Sequence, residues 1–169
     1  MHYRVEHTIP WPIDDVSDVM LNRMKRLASY LHGVDSVEQL PSEPTVRRHQ
    51  WRLERSAFPP GVSSVIPDEA LGFIDELIWT GHRATFAVTP LVHPEAVSFT
   101  GWVKLIDDGW DTQVEVEGDF SLTEAARARM PEILRSRGLA TLESTVVGRV
   151  RAHVGIACHA VDRLLNDET

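Results

Sequence analysis

The sequence predicts an α+β fold: a curved antiparallel sheet of about six to seven strands wrapped on a long C-terminal helix. Three observations point there. From Trp110 to Leu122 the apolar set Trp110, Val114, Val116, Phe120 and Leu122 alternates with Asp111, Gln113, Glu115, Glu117 and Asp119. A period of two describes a strand with one buried and one wet face, and this one is well over the usual length of about 5–6 residues, as expected in a large curved sheet. The second observation is order: one strand and a helix, then a run of strands, then a long amphipathic helix. The third is that last helix, whose stripe of Leu139, Leu142, Val146, Val150, Val154, Ala157, Val161 and Leu164 follows three- and four-residue steps.

The elements follow in order. Residues 2–9 form the first strand, with Tyr3, Val5, His7 and Ile9 on one face. Trp11 and Pro12 turn the chain into a helix, where Pro12 suits the first turn and Asp14 and Asp15 complement the positive helix end. Val16, Val19, Met20, Met24, Leu27 and Leu31 make one stripe, read as one helix that stops near Gly33. Strands at 34–40 and 45–57 flank the turn Pro41-Ser42-Glu43-Pro44, and the Pro- and Gly-bearing stretch 58–64 reads as a loop. Strands at 71–80 and 83–89 flank Gly81-His82 as a tight hairpin, and strands at 96–106 and 110–122 are joined by Asp107-Asp108-Gly109. Thr123 caps a short helical segment, Pro131 opens another turn or two ending near Gly138, and the long helix runs from Leu139 to about Leu165. Gly148 and Gly155 inside it each cost about 1 kcal/mol relative to Ala, which points to close approach of a strand, a helix or a ligand.

At 169 residues the chain suits a single domain spanning 1–169, with enough length to bury a real core. The formal net charge of −8 argues against nucleic acid as a partner, since that binding relies on phosphate neutralisation. No apolar run approaches the roughly 20 residues that span a membrane, so no integral membrane association is expected. The opening MHYRVEHTIPW lacks the apolar stretch of a secretory signal, which makes the cytoplasm the default location. Lysine is confined to Lys25 and Lys104, a composition associated with GC-rich bacterial genomes. The single cysteine, Cys158, excludes an internal disulfide and reads as a buried thiol.

The opening His7-Thr8-Ile9-Pro10-Trp11-Pro12-Ile13-Asp14-Asp15-Val16, together with the element order, resembles the START/Bet v 1-like (SRPBCC, polyketide cyclase-like) superfamily, and within it uncharacterised bacterial members. The likeness spans nearly the whole chain but rests on pattern. The Gly-rich loop that many members carry between early strands has no clear equivalent. The resemblance implies the helix-grip fold, with a cavity between the concave sheet and the C-terminal helix. Candidate wall residues are then Trp51, Leu53, Phe86, Val88, Phe99, Val103, Val114, Val116 and Phe120 from the strands, with Val146, Val150 and Val154 from the helix.

Polar groups that could orient a ligand in such a cavity are His49, which shares a face with Trp51 and Leu53, His153, which adjoins the helix stripe, and Tyr3. A packed core histidine would look the same, and this applies to His7 as well. No His-x-His, HExxH or paired-cysteine spacing occurs, so neither a metal nor another cofactor is expected. His153 and His159 lie about 240° apart around the helix and do not share a face. Asp75 and Glu76 interrupt an apolar strand, and Asp75 faces the same way as Phe73, Leu77 and Trp79. Such a carboxylate could move a proton, or pair with an arginine. Arg127, Arg129, Arg135, Arg137, Arg149 and Arg151 concentrate late in the chain, as a solvated helix face or a surface for anionic lipid headgroups. Trp102 falls on the polar phase of its strand, placing it outside or at an interface such as that of a homodimer; the oligomeric state stays open.

The function expected is binding, with transport as one use of it, of a hydrophobic or amphipathic small molecule such as a lipid or polyketide-like compound. Two other classes stay open. One is a cyclase- or hydratase-type enzyme using the same cavity, although no convergent acid–base pair is visible in the sequence. The other is a protein-interaction module with an exposed apolar patch around Trp102.

Overall fold

The computed structural model describes residues 1–57, 67–129, 132 and 139–168. Seven strands form one antiparallel sheet: β1 (His2–Ile9), β2 (Val34–Leu40), β3 (Val46–Leu53), β4 (Gly72–Thr80), β5 (Arg83–Pro90), β6 (Val97–Asp108) and β7 (Asp111–Leu122), in the order β1-β7-β6-β5-β4-β3-β2. Helices α1 (Ile13–Asn22) and α2 (Met24–Ala28) follow β1, α3 (Glu124–Arg129) follows β7, and α4 (Leu139–Glu168) closes the chain. The expected loop at 58–64, the turn at Pro131 and the stop near Gly138 lie outside the described residues.

Alternation sets the inner face. Tyr3, Ile9, Thr112, Val114, Val116, Phe120 and Leu122 are buried, while Arg4, Glu6 and Asp119 between them stay wet. The long helix α4 packs on β1 and β7, and Glu143 near its start accepts a hydrogen bond from the Leu122 backbone N–H at the end of β7. Gly155 makes that approach possible: a Cβ there would stand 2.9 Å from His7 Nε2. His7 is thus a packing residue beneath the helix. Gly148, one helical stretch earlier, has open space around its Cα and no such role.

The end of α4 is clamped by the first helical segment. Trp11 Nε1 donates to Asp162 Oδ1 at 2.9 Å and Tyr30 OH to Asp167 Oδ2 at 2.8 Å, while Arg23 and Arg26 both pair with Glu168. This clamp explains one departure from the sequence reading. The expected single helix breaks at Arg23 (φ −120°, ψ 21°), where the chain bends so that Arg23 reaches Asp18 and Glu168 together.

Two strand ends also differ from expectation. β3 stops at Leu53, and residues 55–57 form a 3-10 turn in which the Arg55 guanidinium pairs with Asp68. Trp110, expected on the buried face of the last strand, is 87% exposed. Asp108 pairs with Asp111 across the hairpin, so Gly109 (φ +83°) and Trp110 form the two-residue turn and Thr112 takes the first inward position. Thr112 Oγ1 donates to the Trp11 carbonyl at 2.8 Å, satisfying its buried hydroxyl. Cys158 is buried as expected, and burial pushes its thiol up to about 12.

Candidate functional site: the concave face beneath the long helix

Helix α4 contacts β1 and β7, and the inner faces of β4 and β5 continue the sheet beyond β6, with β3 next to β4. On the sheet side Leu53, Phe73, Phe86, Val88 and Phe99 are inward-facing yet only half-buried. On the helix side Val146, Val150 and Val154 are half-buried too. Phe73, Phe86, Phe99, Val146, Val150 and Val154 all pack against the hydrophobic core while keeping part of their surface accessible.

The inner face here is aromatic. Phe99 makes edge-to-face contacts with Phe86 (centroids 5.6 Å apart) and Phe120 (5.8 Å), and its ring lies 6.1 Å from Tyr3. Two cross-strand glycines, Gly101 and Gly118, give these rings their seats. A Cβ on Gly101 would stand 2.6 Å from Phe86 Cζ, and one on Gly118 would stand 2.8 Å from Tyr3 OH. Glycine in a strand often marks such close approach. Burial, reinforced by the nearby charge of Asp119, raises the Tyr3 hydroxyl to about 12, so it stays protonated at any ordinary pH. Trp51 stacks on Phe73 at 5.9 Å with 14° between the rings, extending the aromatic surface onto β3 and β4.

The sequence-derived wall residues therefore divide. Leu53, Phe86, Val88, Phe99, Val146, Val150 and Val154 are half-buried, and Trp51 is 7% exposed. Val103, Val114, Val116 and Phe120 are buried in the hydrophobic core. Phe73, Gly101 and Gly118 are additions. Their signal is present in the sequence as residues facing the right way, but their importance depends on which strand lies beside which.

Polar groups interrupt the apolar wall at one place. His49 and Asp75 are directly opposed across β3 and β4. Asp75 Oδ1 accepts from the His49 backbone N–H at 3.1 Å and lies 3.0 Å from His49 Nδ1. With the carboxylate ionised it can only accept, so Nδ1 carries the hydrogen. Two residues that show no joint signal in the sequence thus form one pair, and the partner of Asp75 is a histidine rather than an arginine. Glu76 points the other way and pairs with Arg48. His49 is 2% exposed and lies under the first helical segment, against a small void of about 30 Å³ that Leu21, Met24, Lys25, Val37 and Gln39 also line. That volume suits about one or two waters. A larger, open depression beside the β2–β3 turn is lined by Pro41, Ser42, Glu43 and Pro44. It is a solvent-facing notch off the concave side and lacks the apolar lining of a binding site.

His153 stands one turn beyond Arg149 on the same side of α4, and Arg149 Nη1 donates to the Ala57 carbonyl just past β3. That side of the helix faces the β3 end of the concavity. Water reaches the His153 side chain, yet protein crowds around it closely enough that desolvation lowers its pKa from 6.5. The lowered value means that the unfolded chain takes up a proton first as pH falls, so this residue's contribution to stability is lost below about pH 6.5. A histidine-resolved NMR titration is expected to place the His153 midpoint below 6.5; a midpoint at or above that ordinary value would put the residue in open solvent.

No metal-binding cluster of His, Cys, Asp or Glu occurs among the described residues. No helix among them is long and apolar enough to cross a membrane. The outer face is polar around Trp102: its cross-strand neighbours are Thr85 and Glu117, and the Arg83 guanidinium lies 5.0 Å from its ring centre.

No known protein-family profile matches the sequence, and no curated protein is significantly similar to it. Solved structures do match its shape. The protein TTHA0849 from Thermus thermophilus superposes with a TM-score of 0.69 at 18% identity, covering 100% of both chains. The shared architecture is the helix-grip fold, a curved antiparallel sheet closed by a long C-terminal helix. The Zhui aromatase/cyclase from Streptomyces sp. R1128 shares the helix-grip architecture with a TM-score of 0.67 at 14% identity, over 98% of this chain and 95% of that one. Norcoclaurine synthase from Thalictrum flavum, solved in complex with dopamine and hydroxybenzaldehyde, matches with a TM-score of 0.61 at 12% identity, over 100% and 88% of the two chains.

Proposed function

We propose that this protein binds a hydrophobic or amphipathic small molecule, of the lipid or polyketide-like kind, between the concave sheet and the N-terminal half of α4. One observation carries the reading: Phe73, Phe86, Val88 and Phe99 face inward and remain half-exposed opposite the half-exposed Val146, Val150 and Val154. Covering that surface with an apolar ligand contributes about 25 cal/mol per Å² removed from water. The aromatic floor favours a flat ring system, since ring contacts add about 0.5–1.5 kcal/mol beyond area. Solved relatives in shape include proteins named for aromatase/cyclase activity and one holding aromatic compounds, which supports the same choice.

Native mass spectrometry of the purified protein, with organic extraction of anything released, tests the proposal. A discrete apolar compound near one per chain is the expected result. An apoprotein mass that does not shift when methoxynaphthalene is added in excess would contradict it.

A second reading, a cyclase- or hydratase-type enzyme, is favoured by the His49–Asp75 pair, because acid–base work needs a titratable group held in fixed geometry beside the bound chain. Turnover that survives Asp75→Asn would remove that reading and leave binding alone.

A further inference from the structure

We infer that Asp75 is a recognition group for a hydrogen-bond donor on the ligand, a hydroxyl or a protonated amine, so that the cavity selects amphipathic aromatic molecules over purely apolar ones. The inference rests on the binding proposal above. Asp75 belongs to the inward phase of β4, between Phe73 and Leu77, and its neighbour on β5 is the half-buried Val88. An inward carboxylate in such a wall would normally be sealed by a cation. Here one oxygen is fully used, since Oδ1 takes both the His49 backbone N–H and the His49 ring. Oδ2 has no hydrogen-bond partner among the described residues, and the side chain keeps 15% of its surface accessible.

His49 fixes the carboxylate rather than touching the ligand. It is almost wholly buried and packs edge-on to Trp51, with ring centres 6.5 Å apart, so the pair cannot swing away from the wall. Two hydrogen bonds to one oxygen leave the other as a preoriented acceptor with apolar surroundings on both sides. Bonds to a charged acceptor are about twice as strong as neutral ones, and leaving that acceptor dry and unpaired under an apolar ligand is unfavourable. A ligand with a donor at this point is favoured, and one with the donor masked is penalised. The polar notch is thus a selectivity filter built into a greasy wall.

Three probes separate the possibilities: naphthol, naphthylmethylamine and methoxynaphthalene, which share a ring system but present a hydroxyl, an ammonium and no donor. Calorimetric titration into the wild-type protein is expected to show naphthol or the amine binding about tenfold more tightly than the methyl ether, the size expected for one hydrogen bond to a charged group. The choice between the two donors identifies the ligand chemistry. In Asp75→Leu the preference is expected to vanish while the ether binds at least as well as before. Asp75→Asn, the smaller change, is expected to reduce the preference and to guard against misfolding of the leucine variant. Equal binding of all three probes by the wild type would overturn this inference and leave the cavity proposal standing. Binding of none would overturn both.

Discussion

Replacing Gly101 by alanine is expected to destabilise the protein by about 3 kcal/mol or more, within the range for overpacking and strained substitutions. The new Cβ would stand 2.2 Å from the Glu117 carbonyl oxygen and 2.7 Å from the Gly118 Cα. Both belong to the backbone of the neighbouring strand, so neither can rotate aside as a side chain would. Relief requires parting β6 from β7, which lie at the centre of the hydrogen-bonded ladder running from Val97–Leu122 to Asp108–Asp111. For a chain of this length each kcal/mol moves the melting temperature by about 2–4 °C. A thermal melt should therefore fall by roughly 6–12 °C. A loss within about 2 °C would show that the sheet has slack at this point and that the seat beneath Phe86 is less tight than the distances indicate.

The same glycines show where sequence reading stops. The strands are legible because alternation is a local signal: β1 falls at residues 2–9 and β2 at 34–40 in sequence and structure alike, and the others differ by a few residues at their ends. Ends go astray where tertiary contacts decide them. Trp110 continues the alternation of its strand, but the geometry of a two-residue turn at Gly109 places it in solvent. Arg23 sits inside an unbroken apolar stripe, and the helix breaks there to satisfy ion pairs with Asp18 and with Glu168, far off in sequence.

The site is half legible for the same reason. Inward direction follows from a period of two, so Phe86, Val88 and Phe99 can be read from the chain. Which inward residues meet each other depends on register and sheet order. That is why His49 and Asp75, 26 residues apart, give no joint signal although they face one another across β3 and β4. Val103, Val114 and Val116 face inward as alternation indicates and are buried in the core, a degree of burial that alternation alone does not specify.

The second large effect concerns the proposed cavity itself. Val150 is half-buried on α4, one turn from both Val146 and Val154, and the proposal places it on the ligand's side of the helix. Under the binding proposal, a tryptophan there would occupy volume assigned to ligand. In a filled core such an enlargement costs about 1–3 kcal/mol through strain. In an unfilled one the indole buries apolar surface without strain, and stability is expected to hold or rise. Val150→Trp is therefore expected to melt within about 2 °C of the wild type, or above it, while binding apolar probes at least about tenfold more weakly.

Titration calorimetry of methoxynaphthalene into the wild-type protein and Val150→Trp, with thermal melts of both, tests the central claim most directly. One-to-one binding by the wild type, lost in a variant that melts no lower, is the predicted result. No binding by the wild type, together with a variant destabilised by several degrees, would show that side chains already fill the space beneath the helix.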